Sequence, residues 1–238
     1  MNNKPFIRYW ENRIANAGNN IRAVGHKGFT NEENEIIYKA KFNILNKIFE
    51  KIKIKNKKVL DAGCGIGIFA KYYSDGGAKV YVTDASLTAI KLTKKNVPNL
   101  IRYNVSPLSK LVYKDNFFDI VHCFDVLYHI TDEKTWELTL NEFSRILKKG
   151  GYLVITEFWK NNSERPKEHV KIRSELEYKK IFSDLKLKII SEYELYLFLQ
   201  KNYFLTKLFP KFCLKLESLF KYPFFKRFSG AKVILIKK

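Results

Sequence analysis

The residues best suited to chemistry stand together at Val59-Leu60-Asp61-Ala62-Gly63-Cys64-Gly65-Ile66-Gly67. An apolar run, a glycine cluster and a helical stretch in that order predict a buried strand, a tight turn and a helix. Glycines let the backbone approach a ligand and adopt angles other residues resist. The helix start adds free N–H groups and partial positive charge, which suit an anionic group. The spacing is G-x-G-x-G, whereas a dinucleotide-binding turn needs G-x-G-x-x-G, and the third residue after Gly65 is Ile68. Asp84 follows Asp61 by 23 residues, at the end of a second apolar run. There a carboxylate offers two acceptor oxygens to the two hydroxyls of a ribose. Glycines that merely allow strand and helix to pack are the plain alternative, and the two acids argue against it.

A second group follows a later apolar run, Phe118-Asp119-Ile120-Val121-His122-Cys123-Phe124-Asp125-Val126-Leu127-Tyr128-His129-Ile130. His129 lies just past the end of that strand, and an imidazole of ordinary pKa near 6.5 can take a proton at neutral pH. It is the first candidate base, with Asp125 the second. Each has a structural alternative, His129 as a packing residue and Asp125 as a cap. His26, His122 and His169 show no ligand-like spacing, so no metal site is expected.

Elements that would position these residues follow from periodicity. Lys58–Leu60, Lys79–Val82, Phe118–Cys123 and Tyr152–Ile155 read as buried parallel strands, with a weaker one at Leu100–Tyr103. Helices are expected near 66–74, 86–95 and 132–148, the last stopped by Gly150-Gly151. Strands alternating with helices predict an α/β fold with a parallel sheet covered on both faces. Ahead of this core, Ile36, Ile37, Ala40, Ile44, Leu45, Ile48 and Phe49 mark an amphipathic helix. Tyr9–Arg13 reads as a shorter helix and Gly25–Gly28 as a loop. Beyond the core come a helix near 168–183, a strand at 186–195, a Phe/Lys-rich stretch and a last strand from Ala231 to Ile236.

The glycine turn resembles motif I of class I, Rossmann-like methyltransferases that use S-adenosylmethionine. The segment 118–130 is similar to their motif IV and the L-x-H stretch after it, and Glu142–Gly151 looks like their helix-to-strand-five signature. These motifs fall in the expected order over residues 57–157, and the chain looks most like the methyltransferase-11, quinone-methyltransferase-like branch. The resemblance implies a doubly wound, mostly parallel seven-stranded sheet in three α/β/α layers. An N-terminal helical lid (1–55), a core (56–195), a helical insertion (196–228) and a last core strand (229–238) would complete it. It implies that S-adenosylmethionine is the cofactor, with Asp61, Gly63, Cys64, Gly65 and Gly67 around its methionine part. Asp84 would take the ribose, and Asn104 would stand where the family usually has an acid for the adenine amino group. Ala85, Val105 and Phe124 complete the expected cofactor contacts. Trp10 and Arg13, in the lid, would meet the methionine end or the substrate.

The formal net charge is +20, yet only eight of 44 basic residues are arginine. Arginine is the better residue for bidentate phosphate recognition. The charge therefore reads either as an anionic partner or as background composition, given the abundance of Lys, Asn, Ile, Tyr and Phe. A nucleic-acid methyltransferase is the runner-up that charge suggests. Phe124–Leu127 stand in place of the Asn/Asp/Ser-Pro-Pro-aromatic motif of amino-group enzymes, and the Pro-Cys nucleophile of the cytosine enzymes is absent. A catalytically silent cofactor-binding partner subunit is a third reading. Three cysteines without pairing spacing point to a reducing, cytoplasmic setting, and Met1–Pro5 leads into no apolar run of a signal peptide. In the insertion, Phe204, Leu208, Phe212, Leu216 and Phe220 recur every four residues beside Lys207, Lys211 and Lys215. This basic amphipathic pattern fits a pocket cap, a dimer interface or contact with the inner membrane surface. The leading expectation is methyl transfer to a small-molecule or lipid/glycan-linked acceptor, through oxygen, by a monomer or homodimer.

Overall fold

A computed structural model describes residues 4–195, 208, 209, 212 and 231–238. The chain opens with α1 (Lys4–Ala17), a 3-10 turn (Ile21–Ala23) and α2 (Asn31–Phe49). Thr30 and Glu33 form a capping box that starts α2. The core then runs β1 (Lys58–Ala62), α3 (Ile68–Asp75), β2 (Lys79–Asp84), α4 (Leu87–Asn96), β3 (Arg102–Val105), β4 (Phe118–Cys123), α5 (Glu133–Ile146) and β5 (Leu147–Glu157). After it come β6 (Glu164–Lys167), β7 (Val170–Ile172), α6 (Glu175–Asp184), β8 (Lys188–Leu195) and β9 (Ala231–Lys237).

Seven strands form one sheet in the order β3-β2-β1-β4-β5-β9-β8. β9 alone runs against its neighbours. Period-2 alternation distributes the core to two faces. Val59, Val80, Val82, Ile120 and Val154 pack with α2 and α3 on one face, and Leu60, Val121, Leu153 and Ile155 pack with α5 and α6 on the other. This is the expected α/β/α sandwich. The strand order reverses between β1 and β4, so a crevice opens beyond their carboxyl ends, where ligands bind in such sheets.

Three local expectations are corrected. The Gly150-Gly151 pair does not end a helix: α5 stops at Ile146 and both glycines lie within β5, Gly150 at φ +78°. The helix expected from 168 begins only at Glu175, because Ser174 and Glu177 form a capping box there. The residues ahead of it form the β6–β7 hairpin instead. β3 is shifted two residues along, so Asn104 and Val105 lie inside the strand rather than after it.

α2 belongs to the layer under the sheet, with Ile37, Ile44, Leu45 and Ile48 in the core. The roof over the crevice is α1 with the turn after it. The helical reading of 196–228 falls outside the described residues, save three. Its flanks are placed, because β8 ends and β9 begins at the carboxyl edge of the parallel strands. No helix among the described residues is long and apolar enough to cross a membrane.

Candidate active site

The crevice holds a mostly apolar cavity that is open to solvent at its mouth. Its wall contains Trp10, Gly63, Cys64, Gly65, Asp84, Ala85, Phe124, Asp125 and His129. These nine residues, drawn from five separate stretches of chain, are brought together as the sequence suggests. The rest of the lining is mostly apolar, including Ile14, Ile68, Phe69 and Leu108.

The glycine turn is shaped by backbone demands. Gly63, Gly65 and Gly67 have φ of +78°, +56° and +86°, a region costly for other residues. The turn also lies close beneath the roof, since a Cβ on Gly65 would come 2.6 Å from Val24 Cγ1. Asp84, at the end of β2, accepts from Gly65 N at 3.0 Å and from Ser86 N at 2.9 Å. Burial raises its pKa to about 6, opposed by those two N–H groups. Ser86 caps α4 through its side chain.

Four expected cofactor residues lie off the cavity wall. Asp61 is buried behind the turn, with Oδ1 2.9 Å from His122 Nδ1. Gly67 is the N-cap of α3 and packs against Thr93. Asn104 is half-buried, with Nδ2 buried and unpartnered, and Val105 is exposed. Arg13 points along the roof, donating to Arg22 O at 2.8 Å and to Gly25 O while stacking on Trp10. It holds the turn that carries Val24.

On the other side of the cavity, Asp125 sits past β4 at φ +58° and pairs with Lys41 of α2. Thr156 completes its shell, donating to Oδ1 at 3.2 Å and accepting from Asp125 N at 2.7 Å. His129 Nδ1 lies 2.9 Å from the carbonyl of His169 on the hairpin, so Nδ1 carries the proton and the ring's lone pair is on Nε2. Burial lowers the His129 pKa to about 4, although the His169 bond favours its charged form. The imidazole is therefore neutral at physiological pH. Trp10 meets it edge-on at 5.1 Å, and His169 stacks on Tyr9 at 5.2 Å.

Sequence reasoning missed Lys41, which sits 2% exposed on the apolar face of α2 between Ile37 and Ile44, where a lysine interrupting the apolar stripe was the available signal. It also missed Glu11, whose carboxylate accepts from Leu87 N, Thr88 N and Thr88 Oγ1 at the start of α4. Only a surplus acid on an amphipathic N-terminal segment hinted at the latter. Among the described residues no cluster of His, Cys, Asp or Glu could hold a metal ion.

The cradle suits a nucleoside that carries an amino-acid group. Asp84, Gly63 and Gly65 all face the cavity. Asp61 Oδ2 is a buried oxygen with no hydrogen-bond partner among the described residues.

Comparison with known proteins agrees. Residues 60–155 match the family described as a methyltransferase domain. Demethylmenaquinone methyltransferase of Renibacterium salmoninarum is 32% identical over 105 residues, covering 44% of this chain and 43% of that protein. Ubiquinone biosynthesis O-methyltransferase of Nitrosospira multiformis is 27% identical over 122 residues, 50% of this chain and 48% of that one. The chain thus spans about half the length of these curated relatives. Magnesium protoporphyrin IX methyltransferase of Synechocystis PCC 6803, solved with bound S-adenosylmethionine, superposes with a TM-score of 0.69 at 15% identity, over 100% of this chain and 98% of that one. In its fold the chain is thus similar to the class I, Rossmann-like S-adenosylmethionine-dependent methyltransferases, and its residues 60–155 match a methyltransferase domain.

Proposed function

We propose that this protein binds S-adenosylmethionine in the crevice between β1 and β4 and transfers its methyl group to a hydroxyl of a small or lipid/glycan-linked acceptor. The observation that carries the reading is the cradle itself: a left-handed glycine turn, with Asp84 hydrogen-bonded to Gly65 N, opening into one cavity with His129. When bound, the cofactor supplies an electrophilic methyl on a sulfonium. Asp84 would hold the ribose, and Gly63 and Gly65 would let the backbone lie against the amino-acid part. Phe69, Phe124 and Ile14 keep water from the reacting centre.

His129 supports an oxygen acceptor. Its Nδ1–H is engaged by His169, its lone pair is on Nε2, and it lines the cavity. Such a neutral imidazole can accept a hydrogen bond from a hydroxyl at Nε2 and orient it, although burial lowers its strength as a base. Positioning does the larger share, since orienting two reacting groups is worth about 7–11 kcal/mol. The mostly apolar lining favours an acceptor with an apolar body. The basic, aromatic segment 196–228 departs from the carboxyl edge of the sheet, and a membrane-held acceptor would meet the enzyme there.

Calorimetric titration of S-adenosylmethionine into the intact chain and into Asp84→Ala tests the cofactor assignment. Micromolar binding that weakens at least tenfold in Asp84→Ala is expected. Absence of binding by the intact chain would overturn the reading.

A further inference from the structure

Asp61 lies near the end of β1, two residues before the glycine turn, and its register partner on β4 is His122. Register partners on neighbouring strands project to the same face, and here the side chains meet: His122 Nδ1 is 2.9 Å from Asp61 Oδ1. Both are sealed from solvent, at 0% and 1% exposure. The pair lies under the cavity floor. The His122 ring is 4.7 Å from that of Phe69 and 4.1 Å from that of Phe124, and both phenylalanines line the cavity.

The polar account of this pair is incomplete. Asp61 Oδ2 and His122 Nε2 are buried without a hydrogen-bond partner among the described residues. Buried polar atoms are nearly always paired, and one left alone is a desolvation cost without a return. An apolar side chain at 122 would fill the space among Phe69, Tyr73 and Phe124 without that cost. The carboxylate's unmatched oxygen belongs to the strand that feeds the cofactor turn.

We infer that His122 is a positioning residue for the amino-acid end of the cofactor. Its Nδ1–H holds Asp61 Oδ1, and Oδ2 is thereby presented, directly or through water, to the ammonium group. A carboxylate fixed before the ligand arrives loses less freedom on binding, which favours affinity. The inference rests on the S-adenosylmethionine reading above.

The test compares two thioether ligands by calorimetry. S-adenosylhomocysteine keeps the ammonium, and 5′-methylthioadenosine has the same nucleoside without the amino-acid group. In His122→Phe, affinity for S-adenosylhomocysteine falls at least tenfold while that for 5′-methylthioadenosine stays within twofold. Asp61→Asn shows the same selective loss, and the double variant is no worse than Asp61→Asn alone. His122→Asn, which keeps a side-chain donor, recovers part of the affinity. Equal loss for both ligands, or no loss for either, overturns the inference, since a merely structural histidine would not distinguish them. Should His122→Phe not fold, His122→Leu, which also removes the donor but with a smaller side chain, carries the same comparison. Binding of neither ligand by the wild-type chain removes the cofactor reading, and this inference with it.

Discussion

Substituting Gly65 by alanine brings two separable costs, and a second substitution tells them apart. The backbone there has φ +56°, and holding an L-residue in that region costs roughly 1–2 kcal/mol. The new Cβ would also stand 2.6 Å from Val24 Cγ1. Overpacking of that kind costs typically about 1–3 kcal/mol. It is limited here because Val24 is only half-buried and its turn can withdraw against the hold of Arg13 on Arg22 O and Gly25 O. The sum is about 2–4 kcal/mol, a fall in Tm of roughly 5–15 °C for a chain of this size. Val24→Ala removes the colliding methyl and leaves the backbone cost, so Gly65→Ala/Val24→Ala regains about half the loss. Thermal unfolding of the four proteins in the cycle measures this. Calorimetry on the same set should show cofactor affinity at least tenfold lower in Gly65→Ala, because Gly65 N also donates to Asp84. If Gly65→Ala melts and binds like the wild type, the turn is not pressed under the roof. If the cycle is additive, the collision with Val24 contributes nothing.

Three further outcomes follow. Asp84 titrates near pH 6, raised by burial, and only its ionised form accepts two hydroxyl hydrogen bonds, so cofactor affinity measured from pH 8 to 5 should be flat to about 6.5 and then fall towards tenfold per unit. Lys41→Met leaves Asp125 without its buried partner and should lower stability by about 2–4 kcal/mol, part of it returned by adding Asp125→Asn; denaturant unfolding of both variants checks this. Glu157 is fully buried at the end of β5, and burial raises its pKa to about 8. The folded chain keeps its proton where the unfolded chain, near 4.5, has lost it. The contribution of Glu157 to stability is therefore fully present below about pH 4.5 and is lost as pH rises to about 8, on the order of 3–5 kcal/mol; Glu157→Gln should flatten the slope of Tm between pH 6 and 8.5.

The legible parts were those that one stretch of chain decides. The turn from Asp61 to Gly67 could be read because its strand, glycines and helix are contiguous, and Asp84 because it ends the next strand. The expectation of seven strands in three layers followed from the likeness of several motifs in order. Lys41 could not be found this way. Its place in the apolar stripe with Ile37, Ile44 and Leu45 marked it as buried, but its partner Asp125 lies 84 positions away, and only the fold brings that acid to it. The Asp61–His122 contact depends on strand register, where a slip of one residue would turn His122 to the opposite face. The hairpin at 164–172 was hidden by polar residues that a helix would also carry, and the sign that mattered was the capping pair Ser174 and Glu177 farther on.

The roof and the cradle are joined through the start of α4. Glu11 on α1 accepts from Leu87 N and Thr88 N, while Asp84 accepts from Ser86 N one step earlier. Two carboxylates thus share one helix N-terminus, whose positive end favours both, and the Glu11 charge adds to the rise in the Asp84 pKa. Lifting α1 removes Glu11 from that end and leaves Asp84 the more strongly ionised, in the state suited to receive a ribose. The same movement withdraws Trp10 from His129 and Tyr9 from His169, so it opens the acceptor side together with the cofactor side. One helix thus reaches both sides of the cavity, which Ile7, Trp10 and Ile14 of α1 all line.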